Sequence, residues 1–229
     1  MNQKTKKLST LGMLSALAII SVLLIRIPLM PAAPFLTYDP KDVVIVIGGF
    51  LFGPLAAFLM SIVVAFVEMI TVSDTGIIGM LMNVIASSAF ACSAAIIYKK
   101  MRTLKGAVYG LIAGWLLTTV VMVLWNYLIV PLYMEVPRHV VAGMLMPIFV
   151  PFNLIKGGLN AGFALLLYKP LKVAFKAAGM AAGEEPQASG TTLDVYEASQ
   201  KRKRTIGIII SATFVILTCI LAIWVIMQT

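Results

Sequence analysis

The chain has 229 residues, of which 61% are hydrophobic and only 12% are charged. That charged share is roughly half the share in a typical soluble domain, and a soluble fold of this length could not bury so much apolar surface. Several apolar stretches approach the roughly 20 residues that match the hydrocarbon core of a bilayer. The composition predicts an all-α protein that crosses a membrane several times, and it excludes a soluble enzyme.

The net charge of +9 is placed in a way that argues against nucleic-acid binding. Of the 18 lysines and arginines, 14 lie in three clusters that flank apolar spans, at residues 4–7, 99–105 and 169–204. Positive residues at the ends of apolar helices are typical of the cytoplasmic side of a membrane. The sequence therefore predicts a multi-pass protein of the cell membrane with a cytoplasmic N-terminus.

The first predicted helix runs from Leu8 to about Ile27. Lysines precede it, as in a signal peptide, but its apolar run is longer than a usual signal core of roughly 7–15 residues. We expect an uncleaved membrane helix. Gly12 and Ala16 lie four residues apart on it, a spacing that allows another helix to approach closely.

A proline-rich segment follows, in which Pro28, Pro31 and Pro34 disfavour helix because proline lacks an amide donor and crowds the preceding turn. Residues 28–42 are predicted to form an ordered loop or re-entrant segment on the outer side. Asp39 is placed to cap the next helix, with a proline as that helix's first residue.

Five further apolar spans are predicted after this loop, at residues 42–52, 55–71, 77–98, 107–133 and 147–168. Gly53-Pro54 breaks the first two apart, and the first would be only about 15–16 Å long. A loop that contains Glu135, Arg138 and His139 leads to the last span. A lone loop histidine is usually solvated, so no role is assigned to His139.

The amino-acid composition changes after the sixth span, from apolar to small, polar and basic residues. Residues 1–178 are predicted to form a six-helix membrane domain, and residues 179–205 a flexible, basic cytoplasmic linker. Residues 206–229 are predicted to add a seventh transmembrane helix, with its apolar run from Ile206 to Met227. This count places the C-terminus outside the cell.

Known catalytic and nucleotide-binding motifs are absent from the sequence. It has no GxxxxGK[ST] loop, HExxH motif, CxxC pair or serine elbow, so we expect no ATP hydrolysis, no catalytic or metal-binding residues and no cofactor. Cys92 and Cys219 lie within apolar runs, so we interpret them as small packing residues and not as a disulfide pair. The sequence predicts that the protein is not an enzyme.

Polar residues within the apolar spans are the candidates for function, because they are costly in a bilayer. Asn153, Lys156 and Asn160 are three and four residues apart and share one helix face. Helix geometry places Asn153 at roughly 9 Å and Lys156 at roughly 14 Å below the outer end of their span. Three other polar side chains reach similar outer depths on other spans: Glu68, Asn83 and Asn126.

These residues support two interpretations. The asparagines supply both hydrogen-bond donors and acceptors, which suits a neutral, polar solute bound under the 28–42 loop. Alternatively, the same groups hydrogen-bond between helices and hold the bundle together. Lys156 favours a functional site, whereas Arg26 and Lys41 are expected to snorkel toward the membrane surface.

Four segments in order resemble a known family. The stretches RIPLMPAAPFLTYDPKDV, GGFLFGP, GMLMNVIAS and PFNLIKGGLN are similar to those of the riboflavin-specific substrate-binding subunit of energy-coupling factor transporters. The resemblance covers about residues 8–175. It implies a six-helix protein that captures riboflavin outside the cell and delivers it with a transmembrane coupling subunit and two ABC-type ATPases.

The resemblance also implies which residues act. The loop after the first helix would help close the site, and the polar residues of the NLIKG, WNYLIVPLY and GMLMNVIAS segments would contact the ligand. Small residues of the first helix, Gly12 and Ala16, would face the coupling subunit. The implied substrate-binding residues are Leu36, Thr37, Tyr38, Asp39, Asn83, Asn126, Asn153 and Lys156.

Other functions remain open from the sequence. The same fold could bind a different vitamin, and a proton-coupled secondary transporter could use Lys156 and Glu68 as a pair. A structural or assembly protein could use the polar residues only to hold helices together. The linker and the seventh helix depart from the family, whose members usually end after six helices.

Overall fold

A computed structural model describes residues 3–177 except 32, 34 and 74. Helices dominate this part of the chain, which confirms the predicted all-α class. The helices are α1 (Gln3–Leu24), α2 (Lys41–Phe52), α3 (Pro54–Thr71), α4 (Gly76–Met101), α5 (Leu104–Met134), α6 (Arg138–Met144) and α7 (Val150–Ala177). A π-helical segment, Leu145–Phe149, joins α6 to α7.

Five helical segments of this part are long and apolar enough to cross a membrane: Lys4–Leu24, Pro54–Thr71, Gly76–Met101, Leu104–Met134 and Arg138–Tyr168. The remaining predicted span is α2, whose 12 residues extend only about 18 Å. The predicted linker (179–205) and seventh helix (206–229) lie outside the described residues.

The break between α2 and α3 lies where the sequence predicts it. Gly53 ends α2 with a φ of +93°, a backbone conformation that residues with a Cβ rarely adopt. Pro54 then occupies the first turn of α3, where its missing amide proton costs nothing. The Gly-Pro pair therefore reverses the chain between two helices.

The proline-rich segment folds back on itself as a short hairpin. Strand β1 (Ile27–Pro28) pairs antiparallel with β2 (Thr37–Tyr38), with Ile27 opposite Tyr38. Met30 and Leu36, on the intervening stretch, are 2% and 7% exposed. The prediction that this segment is an ordered loop is confirmed for the described residues. Met30 and Leu36 turn into the bundle, whereas Ile27 and Phe35 are exposed.

Three local predictions are wrong. Asp39 does not cap α2: Pro40 occupies the cap position without a side-chain hydrogen bond, because the Asp39 carboxylate is engaged by lysines instead. The loop predicted to hold Arg138 and His139 is helical, since α6 begins at Arg138. The first helix also begins earlier than Leu8 and ends at Leu24.

Pro147 explains the late start predicted for the last span. It lies in the π-helical segment, and a proline inside a helix lacks one donor and crowds the turn before it. A wider π turn is one way in which a helix accommodates such a disruption. Helical structure therefore continues through this proline.

Two apolar clusters form the interior of the described part of the chain, and they are named inner and outer after the sides of the membrane that the sequence predicts for them. The inner cluster joins α1, α2, α3, α4, α5 and α7 and includes Val46, Met60, Phe90, Leu111 and Leu165. The outer cluster joins the hairpin to the last turns of α5, to α6 and to the start of α7, and includes Met30, Leu36, Val141, Phe149 and Phe152. Small residues allow close packing: a Cβ on Gly110 of α5 would lie 2.6 Å from the Ala94 carbonyl oxygen of α4.

Candidate solute-binding site

A largely buried polar layer lies between the two apolar clusters, as the order of residues along α7 shows. On α7, Phe152 belongs to the outer cluster and Ala161 to the inner one, and Lys156 and Asn160 lie between them. We call this layer the polar layer; it consists of Asp39, Lys41, Asp42, Glu68, Ser87, Asn153, Lys156 and Asn160.

Asp39 is the centre of the polar layer. It follows β2 directly and is 3% exposed. Its Oδ2 lies 2.8 Å from Lys156 Nζ, and its Oδ1 lies 3.5 Å from Lys41 Nζ. Lys156 Nζ also donates to the Thr37 carbonyl oxygen at 3.4 Å. Lys156 therefore ties the hairpin to α7.

Lys41 is buried, which corrects the prediction that it snorkels. Its side chain is 2% exposed and its Nζ lies 2.6 Å from Glu68 Oε2 on α3. A buried ammonium group needs a charged partner, and here two carboxylates supply it. Arg26 is exposed, and its Nη1 donates to the Val72 carbonyl oxygen at 2.7 Å.

Asp42 extends the polar layer toward α4 and α7. It accepts a hydrogen bond from Ser87 Oγ at 2.5 Å and one from Asn160 Nδ2 at 3.3 Å. Asn153 Nδ2 donates to the Phe149 carbonyl oxygen at 2.8 Å. The face predicted for Asn153, Lys156 and Asn160 is therefore directed into the bundle.

The remaining residues of the predicted site lie around this layer. Leu36 belongs to the outer cluster, and Tyr38 is 5% exposed. Asn126 of α5 is 3% exposed. Asn83 of α4 is half-buried, one turn before Ser87 on the same face. These four side chains are not among the ion pairs that join the hairpin to the bundle.

Electrostatics in the hairpin favour a charged Asp39 and a neutral Tyr38. Burial opposes charge on the Asp39 carboxyl, but Lys156 and Lys41 together lower its pKa to about 2. Burial, followed by the nearby Asp39 and Asp42 carboxylates, raises the pKa of the Tyr38 hydroxyl. Asp39 therefore stays ionised and paired with the two lysines at any ordinary pH, and Tyr38 keeps its hydroxyl proton as a hydrogen-bond donor.

Three buried polar atoms in and beside the polar layer have no hydrogen-bond partner within the described part of the chain: Tyr38 Oη, Asp39 Oδ1 and Asn160 Oδ1. Of these, Asp39 Oδ1 still has the Lys41 ammonium group 3.5 Å away. Buried polar groups in folded proteins are nearly always paired. Tyr38 Oη and Asn160 Oδ1 are therefore free to hydrogen-bond a polar solute or a water molecule.

Comparison with known proteins identifies the family. The chain matches the family described as "ECF transporter, substrate-specific component" over residues 6–168. It belongs to that family. These components are transport proteins and not a class of enzyme, and the apolar spans make this one a multi-pass membrane protein.

Relatives of this substrate-specific component carry more detailed names. It is 34% identical to "Riboflavin transporter RibU" of Staphylococcus aureus (strain TCH60) over 177 residues, 74% of this chain and 92% of that protein. It is 31% identical to "Riboflavin transporter FmnP" of Bacillus subtilis (strain 168) over 181 residues, 72% of this chain and 92% of that protein.

A solved structure shares the fold of this component. It is described as "Structure and mechanism of the S component of a bacterial ECF transporter", with a TM-score of 0.65 and 32% sequence identity. The match covers 76% of this chain and 99% of that one. The hairpin and the bundle beneath it thus belong to a known architecture.

Sequence reasoning missed part of this component's polar layer. Lys41, Asp42 and Ser87 were not among the predicted site residues, although two adjacent ionisable residues at the start of an apolar span were a usable signal. The suggested Lys156–Glu68 pair is not present, because Lys156 pairs with Asp39 and Glu68 with Lys41. Those partners are far apart in sequence.

The polar layer and the side chains around it offer both hydrogen-bond donors and acceptors. Within the layer, Asn153 carries an amide and Lys156 an ammonium group. Beside it, Asn126 and Asn83 carry amides and Tyr38 a hydroxyl group. Lys156 is 19% exposed, more than any other member of its ion pairs. It is therefore the charged group of the layer that a solute could reach first.

Proposed function

We propose that this chain captures riboflavin on the outer side of the membrane as the substrate-binding subunit of an ATP-driven energy-coupling factor importer. The observation that carries the proposal is the polar layer beneath the hairpin, formed by the segments that resemble riboflavin-specific subunits. Relatives that are 31–34% identical over most of this chain are named riboflavin transporters, which supports the same ligand here.

The flavin ring is polar at one edge and apolar over its faces, and the layer offers both kinds of contact. Asn153 and Lys156 would hydrogen-bond the ring's polar edge, with Asn126 and Asn83 completing the set. Phe152 and the other apolar residues of the outer cluster would cover its faces. The hairpin residues Leu36, Thr37, Tyr38 and Asp39 would close over the ligand. Riboflavin is the cargo, and no cofactor is proposed.

Transport would depend on partner subunits. The sequence lacks a nucleotide-binding motif, so ATP would be hydrolysed by two ABC-type ATPases that act through a transmembrane coupling subunit. Gly12 and Ala16 support such an association, because both are exposed on α1 and nothing lies within 4 Å of a Cβ placed on Gly12. Another helix could approach closely there.

The proposed orientation follows from the positive clusters. The N-terminus and residues 99–105 would be cytoplasmic, the hairpin would face outward, and residues 206–229 would place the C-terminus outside. Because the polar layer lies in the outer half, release to the cytoplasm would require the bundle to reorient against the coupling subunit.

Binding tests the proposal directly. The full chain, purified in detergent, would be titrated with riboflavin while quenching of flavin fluorescence is followed, and thiamine and biotin would be added as competitors. We expect saturable quenching at one riboflavin per chain that neither competitor reverses. A protein that leaves flavin fluorescence unchanged would overturn the assignment of riboflavin.

Uptake by cells tests the energy source. Riboflavin uptake through this chain should stop when the ATPases are deleted and should persist when the proton gradient alone is collapsed. Uptake that survives without the ATPases but stops with the proton gradient would contradict the proposal and favour a secondary transporter.

A further inference from the structure

Four charged side chains, three buried and one partly exposed, form an unbroken row across the bundle. Glu68 of α3 pairs with Lys41 of α2 at 2.6 Å, Lys41 lies 3.5 Å from one oxygen of Asp39, and the other Asp39 oxygen lies 2.8 Å from Lys156 of α7. The charges alternate in sign from end to end. This row of charges begins at Glu68, which is not among the predicted substrate-binding residues, and ends at Lys156, which is proposed to bind the ligand.

The distances indicate how the two lysines share Asp39. Lys41 lies closer to Glu68 than to Asp39, so its main partner is Glu68. Asp39 is thereby left to make its shorter contact with Lys156. If Glu68 lost its charge, Lys41 would keep one nearby ion-pair partner and would be drawn toward Asp39. It would then compete with Lys156 for that carboxylate.

Burial makes this competition matter. The side chains of Lys41, Asp39 and Glu68 are 2%, 5% and 8% exposed. Water therefore screens them poorly, and ionic interactions are strong at such sites. A buried charge that loses its partner reorganises its neighbours or destabilises the fold.

We propose that Glu68 is a positioning residue for the ligand site. By holding Lys41, it keeps Asp39 available to Lys156 and so fixes both the Lys156 ammonium and the hairpin that closes over the ligand. Glu68 acts through this chain of charges and does not touch the ligand. Groups held in place before binding lose less freedom when the ligand arrives.

This inference rests on the proposed function, and its test is Glu68→Gln in the full chain. Riboflavin affinity should fall about tenfold, which lies within the range of coupling between residues of one ion-pair network. Glu135→Gln is the matched control: it makes the same change on a carboxylate that is exposed at the end of α5. The Glu135→Gln protein should bind riboflavin with the same affinity as the unaltered chain.

Making Glu68→Gln in a Lys156→Ala protein distinguishes a positioning role of Glu68 from general damage to the fold. If Glu68 acts through Lys156, then Glu68→Gln should cause no further loss of affinity in a Lys156→Ala protein, because coupled residues are not additive. Equal losses in both backgrounds would overturn the inference. So would an unchanged affinity of the Glu68→Gln protein.

Failure of the two proposals can be told apart. If the unaltered chain does not bind riboflavin, the proposed function fails. If it binds but Glu68→Gln has no effect, only the positioning role fails. Should Glu68→Gln not purify as a single species, Glu68→Asp keeps the charge on a side chain one methylene shorter. Its loss of affinity should likewise vanish in the Lys156→Ala background, and persistence of that loss would contradict the inference.

Discussion

The outer and inner halves of this bundle are held together by different interactions. In the inner half, Val46, Phe90 and Leu111 pack as an apolar cluster, with a hydrogen bond of 2.9 Å between the Tyr98 and Tyr168 hydroxyl groups. In the outer half, the polar layer joins the hairpin to α3 and α7 through ion pairs. Packing predominates in the inner half, whereas in the outer half ion pairs add to the packing of the outer cluster.

The difference has a physical reason. Lipid tails are as apolar as leucine, so membrane helices associate through close packing and hydrogen bonds more than through a hydrophobic driving force. The inner half satisfies this with small residues such as Gly110. Desolvation offsets much of the attraction within a buried ion pair, although removing one partner is costly, so stability alone does not account for the charges of the outer half. Under the proposed function they also serve the recognition of a solute.

The largest effect should come from Asp39→Ala, which leaves Lys41 and Lys156 without their shared counter-ion. Breaking a buried ion pair from one side typically costs about 3–5 kcal/mol. Thermal unfolding in detergent should show a marked loss of stability, whereas Glu135→Ala, at an exposed carboxylate, should show none. An unaltered unfolding temperature for Asp39→Ala would mean that the outer half does not depend on its charges.

The inner half should respond to Leu111→Ala. Leu111 is 0% exposed, and removing a buried leucine side chain typically costs about 2–5 kcal/mol. Riboflavin affinity, measured well below the unfolding temperature, should stay unchanged because Leu111 belongs to the inner cluster. Leu116→Ala is the control, since Leu116 is 54% exposed. A weakened riboflavin affinity of Leu111→Ala would contradict the prediction that the inner half contributes to stability and not to ligand binding.

A smaller effect is expected from Tyr98→Phe, which removes the hydrogen bond to Tyr168 and keeps both rings. Its net cost should be about 0.5–1.5 kcal/mol of stability, again without a change in affinity. Tyr109→Phe offers the matched control, because Tyr109 is 56% exposed. If both variants unfold at the same temperature, the Tyr98–Tyr168 bond does not stabilise the inner half.

The last prediction is that the effect of Asp39 on riboflavin affinity does not change with pH near neutrality. The lysines lower the pKa of the Asp39 carboxyl to about 2, so its contribution to stability is complete above the ordinary aspartate pKa. It disappears only as the pH falls from about 4 toward 2. The ratio of riboflavin affinities of Asp39→Asn and the unaltered chain should therefore be constant between about pH 5 and pH 8. A ratio that approaches one on acidification within that interval would show that Asp39 is not held in its charged form.

The helices were largely predictable because their signals are local. Apolar runs locate the spans, Gly53-Pro54 locates the break before α3, and the prolines after Ile27 locate the hairpin. The start of α6 was not predictable in this way. Arg138 and His139 suggest a loop, and Pro147 suggests a helix start, yet the π-helical segment carries the helix through that proline.

The candidate site was predictable only in part. Spacing alone placed Asn153, Lys156 and Asn160 on one face, and all three make contacts inside the bundle. The partners of the charges were not predictable, because Lys156 meets Asp39 across 117 positions of sequence. For the same reason Lys41 was expected to snorkel, although it is buried against Glu68. Such pairings depend on how the helices pack and leave no periodic pattern.

The most direct test of the central claim is a riboflavin titration of Asn153→Ala and Lys156→Ala beside the unaltered chain. Each variant loses one hydrogen-bonding group of the proposed site, worth about 1–3 kcal/mol, so affinity should fall roughly 5- to 150-fold. Leu111→Ala, titrated in parallel, should bind as the unaltered chain does. Unchanged affinity in both Asn153→Ala and Lys156→Ala would contradict the assignment of the polar layer as the riboflavin site.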